Sequence, residues 1–462
     1  MRPLKPGNLQ KPEVMKKHEH IVIGGGPAGI TLAKMLGKSD IAVIRPENAS
    51  MIYCAMPYVI EGLIPHQDTL KSDNLVTDNG GVLIRDEVTS IDFEGKILQM
   101  KSGETYQYGK LIIATGAVPF IPPVPGHKLK GVMGFKTEGD MDEISRVVDA
   151  GLKRAVVVGA GAIGIELVQA LNDREVEVHL VDMADSVLPN LIDKEMSTSV
   201  YDELENQGVH LHLGVKVTEV RGAETAEGVA LDNGDFINVA GHDGVGGLVV
   251  FAAGTRPEIS LVKDSPLEID RDGILINDKM ETNISDVYAV GDCVQFTSGI
   301  TGEVTPGKLA TNAVPMAKIL GFNFLGGDRH YPGFYNGAAT KVGHFYIGGT
   351  GLTESAARKS GYDIVTGNST VTTKFPIIPG AKKKHMKLVA DRVTHRVLGA
   401  QIVSEEPVVG RIDLITFAIQ NESTVENLSA LSYASQPHQS FYPAANIVVL
   451  AAEDIRKKIG SR

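Results

Sequence analysis

Two stretches of the chain repeat one order of hydrophobic and polar positions. Each opens with a short apolar run, passes through a glycine-rich turn into a segment of helical period, and closes with a second apolar run. Short apolar runs bounded by turn residues predict buried strands, and the helical period predicts a helix packed on one face. Each stretch is therefore predicted to form one strand–helix–strand unit.

In the first unit the strand, turn, helix and second strand are predicted at residues 21–23, 24–29, 30–36 and 41–44. In the second unit they are predicted at residues 155–158, 159–164, up to about 172, and 176–181. The glycines of the turns are Gly24, Gly26 and Gly29, and then Gly159, Gly161 and Gly164. At this spacing the first glycine allows a tight turn, the second lets backbone approach a pyrophosphate, and the third allows close packing of helix on strand. One such match can be a plain structural turn, but two in full context predict two dinucleotide sites.

An acidic residue after the second strand of such a unit can bind ribose hydroxyl groups. Asp182 holds that place in the second unit and would disfavour a 2′-phosphate, so we expect NADH, with NADPH possible if basic residues help. In the first unit the same offset gives Glu47, although the apolar run ends before Arg45. Glu47 is the better chemical candidate for a ribose, and Arg45 remains open.

Later patterns predict the rest of the fold. Apolar runs at 209–213, 215–220 and 248–253 predict strands that complete the second nucleotide domain. Beyond about residue 326 the chain predicts a third, α+β domain, with helices near 353–359 and 409–420 and strands near 386–389 and 397–403. A length of 462 residues is enough for about three domains.

Composition and charge exclude several classes. The 51 glycines agree with backbone bent closely around phosphates, and the net charge of −11 argues against a nucleic-acid or anionic-membrane partner. Residues 1–17 lack the apolar core of a secretion signal and are predicted to be a flexible leader. No apolar run is long enough for a membrane span. Two cysteines that offer no disulfide framework suggest a reducing compartment, so we expect a cytoplasmic protein. The basic run Lys382–Lys384 is predicted to be a solvated loop, with a phosphate-bearing ligand as the alternative.

The two cysteines are separate chemical questions. Cys54 and Cys293 offer neither a disulfide framework nor metal-ligand spacing, so no metal site is expected. Pro57 fits only the first turn of a helix and Gly62 is a plausible helix end, which places Cys54 at or beside a helix N-terminus. There the helix dipole would favour the nucleophilic thiolate. The alternative is a small, buried core cysteine.

Further motifs point to a family. The two glycine turns, together with residues 114–116, 252–257 and 287–292, resemble the FAD-dependent pyridine nucleotide-disulfide oxidoreductases over residues 18–462. A single cysteine followed by x-x-Pro-Tyr resembles, within them, coenzyme A-disulfide reductases and NADH-dependent persulfide or polysulfide reductases. Glutathione reductase and lipoamide dehydrogenase differ, because they need a cysteine pair and a late histidine, roughly where this chain has Gln436.

The resemblance implies an α/β fold with two Rossmann-like dinucleotide-binding domains and a C-terminal α+β dimerisation domain. The implied boundaries are 18–120 and 256–327 for the FAD-binding domain, 121–255 for the NAD-binding domain and 328–462 for the dimerisation domain. A homodimer is implied, since in this family the last domain completes the partner's active site. The implied cofactors are FAD and NADH, with NADPH possible.

The resemblance also assigns site residues. FAD would bind at the first glycine turn, with Thr115 and Gly116 at the adenine half, Asp292 at the ribityl or phosphate portion, and Ala310 and Thr311 facing the flavin pyrimidine. NADH would bind at the second turn, with Glu166 near the nicotinamide, although Glu166 could also be an ordinary polar helix residue. The remaining implied cofactor-binding residues are Pro27, Ala28, Arg45, Glu47, Ile163, Asp182, Gly254 and Gly291.

Cys54 and Tyr433 are the implied catalytic residues, with Tyr433 reaching across the dimer to protonate a leaving sulfur. Tyr433 could equally be a core aromatic residue. The residues after Tyr433 depart from the family's Tyr-Ala-Pro-Pro segment, and a second family tyrosine is replaced by Phe375, which puts coenzyme A specificity in doubt. His438 is an alternative acid. Lys382–Lys384 are candidates for coenzyme A phosphates, and Cys293 is expected to be structural.

Three functions follow as hypotheses. The first is reduction of a disulfide, persulfide or polysulfide, with coenzyme A disulfide or persulfide favoured, through Cys54. The second is an NADH oxidase or peroxidase in which Cys54 cycles through a sulfenic acid. Those relatives commonly have a histidine at the fourth place of the first glycine motif, where this chain has Pro27. The third is a redox-sensing or electron-delivering flavoprotein.

Overall fold

The structure is a computed structural model that describes residues 15–241 and 246–460. The elements up to residue 119 are β1 (Lys16–Ile23), α1 (Pro27–Leu36), β2 (Ile41–Arg45), β3 (Ser50–Met51), α2 (Met56–Glu61), β4 (Leu70–Lys71), α3 (Asn74–Thr77), β5 (Val82–Arg85), β6 (Val88–Asp92), β7 (Ile97–Met100), β8 (Thr105–Ile113) and β9 (Ala117–Pro119). Those up to residue 257 are β10 (Val132–Gly134), α4 (Glu138–Asp149), β11 (Arg154–Val158), α5 (Ala162–Asp173), β12 (Glu177–Asp182), α6 (Lys194–Asn206), β13 (His210–Leu213), β14 (Val217–Arg221), β15 (Gly228–Leu231), β16 (Phe236–Asn238), β17 (Leu248–Phe251) and β18 (Thr255–Pro257).

The remaining elements are β19 (Ile269–Asp270), β20 (Gly273–Ile274), β21 (Val287–Ala289), α7 (Ala310–Phe324), β22 (Ala338–Val342), β23 (Phe345–Gly351), α8 (Glu354–Lys359), β24 (Ile364–Thr372), β25 (Lys383–Asp391), β26 (Val397–Ser404), α9 (Val409–Gln420), α10 (Val425–Ser429) and α11 (Ile447–Gly460). Short 3-10 turns occupy Gly37–Ser39, Tyr53–Ala55, His66–Thr69 and Pro443–Ala445. Both predicted strand–helix–strand units are present, as β1–α1–β2 and β11–α5–β12, and the predicted helix at 409–420 is α9.

The first sheet has the order β5-β2-β1-β8-β7-β6, with β21 on the other side of β8. Strands β1, β2, β5, β8 and β21 are parallel, whereas β6 and β7 are antiparallel additions. The central strand is apolar because both of its faces are covered, and Ile21 and Val22 have no exposed surface. Helix α1 starts at the carboxyl edge of these strands, which is where ligands bind in sheets of this kind.

The last two residues of the predicted leader are part of the first strand. Lys16 and Lys17 belong to β1, where they pair with Tyr106 and Gln107 of the long strand β8. The Lys16 ammonium also forms an ion pair with Glu104 at 2.7 Å, so the strand extends beyond its apolar core. Residues 1–14 of the leader lie outside the described residues.

The second sheet is fully parallel, in the order β10-β17-β11-β12-β13, and a three-stranded sheet β14-β15-β16 packs beside it. The third sheet is antiparallel, in the order β22-β23-β26-β25-β24, and α9 and α11 cover it. These three layers confirm the predicted α/β class with two Rossmann-like sheets and a C-terminal α+β part. The exact domain boundaries remain a prediction. None of the helices in the described residues combines the length and apolar character needed to cross a membrane.

The basic run Lys382–Lys384 is not a solvated loop. Lys383 and Lys384 lie in β25, and the Lys384 side chain is buried. This burial lowers the pKa of Lys384, and the nearby Arg411 lowers it further. The sequence did not predict a strand at the lysines because they precede the apolar part of β25. The whole strand nevertheless pairs with β24 and β26.

A buried lysine joins the third sheet to the second nucleotide-binding domain. Lys387 of β25 is almost fully buried, and its ammonium group lies 2.9 Å from Asp193 and 2.8 Å from Glu354. Glu195, the third carboxylate, also contacts this ammonium. Gln401 donates a hydrogen bond to Asp193, so the Asp193 carboxylate has a second partner besides Lys387. The three carboxylates raise the pKa of Lys387, although burial opposes them.

We predict that Lys387→Met destabilises the protein by about 3 kcal/mol, because the buried carboxylate of Asp193 would lose its counter-ion. Thermal unfolding of the holoenzyme measures this loss. The matched control is Lys383→Met, on the same strand but exposed, which should leave the unfolding midpoint within experimental error. Equal midpoints for the two variants would contradict the role given to Lys387.

Candidate active site

The first glycine turn leaves no room for side chains on its protein side. Gly24 has a φ of +124°, and a Cβ there would lie 2.1 Å from the carbonyl oxygen of Ala114. A Cβ at Gly29 would lie 2.1 Å from the carbonyl oxygen of Gly24. At Gly26, in contrast, a Cβ would meet no atom within 4 Å. The second glycine therefore faces open space at the start of α1, where a pyrophosphate could approach the backbone.

The second turn repeats this arrangement. Gly159 has a φ of +120°, and a Cβ at Gly164 would lie 1.9 Å from the Gly159 carbonyl oxygen. Gly161 again faces open space, and Ile163, on the first turn of α5, is 45% exposed. Both turns thus leave open space beside their second glycine, where the phosphates of a dinucleotide could bind.

Asp182 lies at the carboxyl end of β12, beside the second turn. Its carboxylate accepts hydrogen bonds from the backbone N–H of Ala160, at 2.6 Å, and of Ala184, at 2.7 Å. These bonds fix the orientation of the carboxylate at the edge where a ribose would lie. The predicted role of Asp182 in binding ribose hydroxyls stays a prediction.

Arg45 and Glu47 have opposite environments. Arg45 is buried at the end of β2, contacts Asp73, and extends its side chain over Gly25 of the first turn. Its Nε atom is buried without a hydrogen-bond partner among the described residues. Glu47 lies past the strand and is exposed. The structure thus places Arg45 at the glycine turn and leaves Glu47 exposed beyond β2, and their roles toward a ribose remain predictions.

Two helix starts meet at the end of β21. A Cβ at Gly291 would lie 3.4 Å from Cβ of Ala313 in α7 and 4.0 Å from Cβ of Ala28 in α1. Ala310 and Thr311, in the first turn of α7, are exposed on this side. Pro27 begins α1. The predicted FAD-binding residues of both helices therefore share one edge of the first sheet.

Asp292 lies beside two lysines that sequence reasoning missed. The Lys136 ammonium is 3.2 Å from its carboxylate, and the Lys308 ammonium donates to its backbone carbonyl at 2.9 Å. Burial lowers the pKa of Lys308. Lys136 is 156 positions from Asp292 and Lys308 is 16 positions away, so neither belongs to the motif around Asp292.

Thr115 and Gly116 join the two sequence parts of the predicted FAD-binding domain. The Thr115 hydroxyl donates to the carbonyl oxygen of Glu258 at 2.6 Å, and the Glu258 N–H donates to the carbonyl of Gly116 at 2.9 Å. Gly254 has a φ of +96° and faces open space, just before β18 pairs with β9. The adenine contact predicted for Thr115 and Gly116 remains a prediction.

Cys54 lies in the 3-10 turn Tyr53–Ala55, directly before α2, as the sequence predicted. Pro57 is in the first turn of that helix, and Gly62 ends it with a φ of +85°. The thiol is exposed, so the alternative of a buried core cysteine is wrong. The helix instead buries Met56 and Ile60 against the second nucleotide-binding domain, next to α4 and α5.

Three regions of the chain meet near Cys54. Burial raises the pKa of Tyr58, and nearby Glu166 and Cys54 add to this shift. Glu166, on α5, accepts a hydrogen bond from the hydroxyl of Thr340 in β22 at 2.8 Å. Burial raises the pKa of Glu166, against the effect of Thr340. Tyr58 belongs to the Cys-x-x-Pro-Tyr motif, whereas Thr340 gave no signal in the sequence.

The contacts of Tyr433 are with residues of its own C-terminal segment. Its hydroxyl donates to the carbonyl of Pro443 at 2.5 Å, its ring packs edge-on against Phe441, and 38% of its surface is exposed. Among the described residues, no hydrogen bond or ring contact joins it to Cys54. The predicted role of Tyr433 at the thiol, across the dimer, stays a prediction.

The neighbours of Tyr433 are tied to one another. Phe375 packs edge-on against Tyr442 at 5.4 Å between ring centres. The backbone N–H of exposed His438 donates to the side chain of Gln436 at 2.9 Å.

Cys293, the second cysteine, is fully buried and contacts the carbonyls of Ile113 and Val290 at 3.4 Å. Burial raises the pKa of its thiol, which agrees with a structural role.

Comparisons with known proteins agree with this geometry. Residues 18–317 match the family model of the pyridine nucleotide-disulphide oxidoreductases, and residues 338–445 match the family's dimerisation domain. An NADH oxidase of Methanocaldococcus jannaschii is 34% identical over 96% of this chain and 99% of its own length. An NAD(P)H sulfur oxidoreductase (CoA-dependent) of Pyrococcus abyssi is 30% identical over 96% of this chain and 99% of its own.

A solved structure of an NAD-dependent persulfide reductase from A. fulgidus superposes with a TM-score of 0.88 and 28% identity. It covers 96% of this chain and 83% of its own. The chain belongs to the pyridine nucleotide-disulphide oxidoreductase family. It is an NAD(P)H-dependent flavoprotein oxidoreductase, and the predicted cofactors, FAD and NAD(P)H, are those of the family. The dimerisation domain supports the predicted homodimer.

We predict that Gly161→Ala folds and retains FAD but raises KM for NADH by about tenfold, because the new methyl group would occupy the space where the pyrophosphate approaches. Steady-state kinetics with NADH measure the change. Gly139→Ala, in the first turn of α4, is the control and should keep the original KM. An unchanged KM in Gly161→Ala would show that the second turn does not hold the cofactor.

We also predict that Glu166→Gln raises the unfolding midpoint at neutral pH. The folded protein binds the Glu166 proton more tightly than the unfolded chain, so stability falls as pH rises from the ordinary glutamate pKa through the raised one. Glutamine keeps the acceptor for Thr340 without the buried charge. The gain should vanish in acid, and Glu175→Gln, at an exposed position, should show no such trend. A gain that is independent of pH would contradict the assignment.

Proposed function

We propose that this protein reduces a disulfide, persulfide or polysulfide with electrons from NAD(P)H, through the single cysteine Cys54. A disulfide or persulfide of coenzyme A is the favoured substrate. The observation that carries the proposal is the exposed Cys54 thiol, presented at the start of α2 while α2 itself packs against the NAD-binding side of the chain. Relatives named as CoA-dependent sulfur oxidoreductase and persulfide reductase support the substrate class.

Both cofactors have matching places in the chain. The first glycine turn, Asp292 and the start of α7 would hold FAD, and the second turn, Asp182 and Glu166 would hold NADH. Bound FAD would take a hydride from the nicotinamide and supply two electrons to sulfur. The exposure of Cys54 leaves it open to a substrate.

Reduction of the substrate would take place in two steps at Cys54. Thiolate Cys54 attacks one sulfur of the substrate, which forms a new sulfur–sulfur bond and breaks the old one. The released thiolate takes a proton and leaves as a thiol, or as hydrosulfide when the substrate is a persulfide. Two electrons then cleave the bond between Cys54 and the retained sulfur, which releases the second thiol. Overall, one NADH and one proton convert one disulfide into two thiols.

The proton for the leaving sulfur would come from the partner subunit's copy of Tyr433. In the single chain its hydroxyl donates to Pro443, so it would have to change partner in the active dimer. His438 is exposed in the same segment and remains the alternative acid. Of the basic run, Lys382 and Lys383 are exposed and remain candidates for coenzyme A phosphates, although Lys382 pairs with Glu405 at 3.0 Å. Lys384 is buried.

An NADH oxidase is the second candidate, because the 34%-identical relative of M. jannaschii carries that name. In that case Cys54 would cycle through a sulfenic acid. The first turn has Pro27 where a histidine would stand beside a sulfenate, and Pro27 can neither donate nor accept a proton there. This residue favours sulfur reduction over oxygen or peroxide reduction.

We predict that Cys54→Ser lowers turnover of coenzyme A disulfide or polysulfide by about a thousandfold or more, while anaerobic reduction of the flavin by NADH continues. The assay compares NADH consumption with coenzyme A disulfide, polysulfide, peroxide and oxygen. Cys293→Ala, which removes the buried thiol, should keep sulfur reduction.

Each contrary result has a meaning. Faster turnover with oxygen or peroxide than with any sulfur substrate would favour the oxidase. Sulfur turnover that survives in Cys54→Ser would favour a sensing or electron-delivering flavoprotein instead.

A further inference from the structure

Four polar side chains cluster on one face of the second parallel sheet. Side chains alternate between the faces of a strand, so Glu177 and His179 share a face of β12, and His210 and His212 share a face of β13. His179 and His210 are direct neighbours across the parallel pair. Their rings stack with centres 4.6 Å apart, and the ring of His212 stacks on His179 at 5.3 Å.

The ligand atoms of this cluster lie at metal-binding separations. His179 Nε2 is 3.3 Å from Glu177 Oε1, and His210 Nε2 is 3.8 Å from the same oxygen. The three residues offer ligand atoms that all lie within 4.8 Å of one another. Zinc bonds to nitrogen and oxygen are about 2.0–2.2 Å, which puts neighbouring ligands of a tetrahedron about 3.3 Å apart. Only a small contraction around an ion is therefore needed.

His212 contacts the other ring nitrogen of His179. Its Nε2 lies 3.0 Å from Nδ1 of His179, so one of these two nitrogens carries the shared proton. If His179 donates from Nδ1, its Nε2 keeps a lone pair, and this atom lies 3.3 Å from Glu177 Oε1. A metal-binding histidine commonly donates its other N–H to a nearby acceptor in this way, which fixes its tautomer.

We propose that Glu177, His179 and His210 bind a divalent late transition metal, of which Zn²⁺ is the natural representative, with His212 as a positioning residue. Two imidazoles and a carboxylate suit zinc and its neighbours better than magnesium or calcium, which prefer oxygen ligands. Glu177 and His210 are about half exposed, so water can supply the fourth ligand.

This site is separate from the proposed sulfur chemistry. Glu177 begins β12, whereas Asp182, the predicted ribose ligand, ends it. A bound ion would tie the edge strand β13 to β12 and so stabilise the NAD-binding sheet. The expectation of no metal site rested on cysteine spacing, and it overlooked ligands that alternate along two strands 33 residues apart.

The test is zinc binding by the untagged holoenzyme after removal of metals with a chelator. Equilibrium dialysis against Zn²⁺, followed by elemental analysis, should give one more zinc per chain in the wild type than in His210→Ala. Flavin content verifies that the variant is folded. His395→Ala is the matched control, because His395 forms a similar surface pair with Glu426 but has no second histidine among its contacts. It should keep the full zinc content.

A second variant tests the positioning residue. His212→Phe should keep the site but weaken zinc affinity by about 10- to 100-fold, because His179 loses the acceptor that fixes its tautomer. Zinc should also raise the unfolding midpoint of the wild type and not that of His210→Ala. Equal zinc content in wild type and His210→Ala would overturn the proposal and leave a hydrogen-bonded histidine cluster. Loss of sulfur reductase activity would not bear on this result, since the readout is metal content.

Discussion

The burial of one face of α2 against the second nucleotide-binding domain fixes the position of the reactive thiol. Met56 and Ile60 fill this contact, and the side chain of Arg174 in the neighbouring domain donates to the carbonyl of Ile60 at 2.8 Å. Because a helix of six residues has little stability alone, its conformation depends on that packing. Cys54 sits just before the helix and is therefore held by contacts that cross between two domains.

The same region is fixed from a third side. Thr340 reaches Glu166 from the third sheet, and the buried Lys387 cluster joins that sheet to the start of α6. Each of these contacts places a charged or polar group in a dry interface, where an unpaired partner would be costly. The arrangement favours one relative position of the domains, and this position brings Glu166 and Tyr58 close to the thiol.

Much of the fold could be predicted from local sequence patterns, whereas the long-range contacts could not. The glycine turns and the helix at 409–420 were readable because each depends on residues a few positions apart. Lys136 reaches Asp292 across 156 positions, and Thr340 reaches Glu166 across 174 positions, so no spacing rule applies to them. The basic run 382–384 misled because charge suggested a loop, whereas pairing with two neighbouring strands placed Lys384 in the interior.

The central claim is that the sulfur of Cys54 exchanges electrons directly with the bound flavin. The most direct measurement is the absorption spectrum of the holoenzyme during anaerobic titration with NADH. A thiolate against an oxidised flavin gives a broad long-wavelength band. We therefore predict that this band appears with the wild type and is absent in Cys54→Ser. A spectrum without that band, or the same band in both proteins, would contradict it.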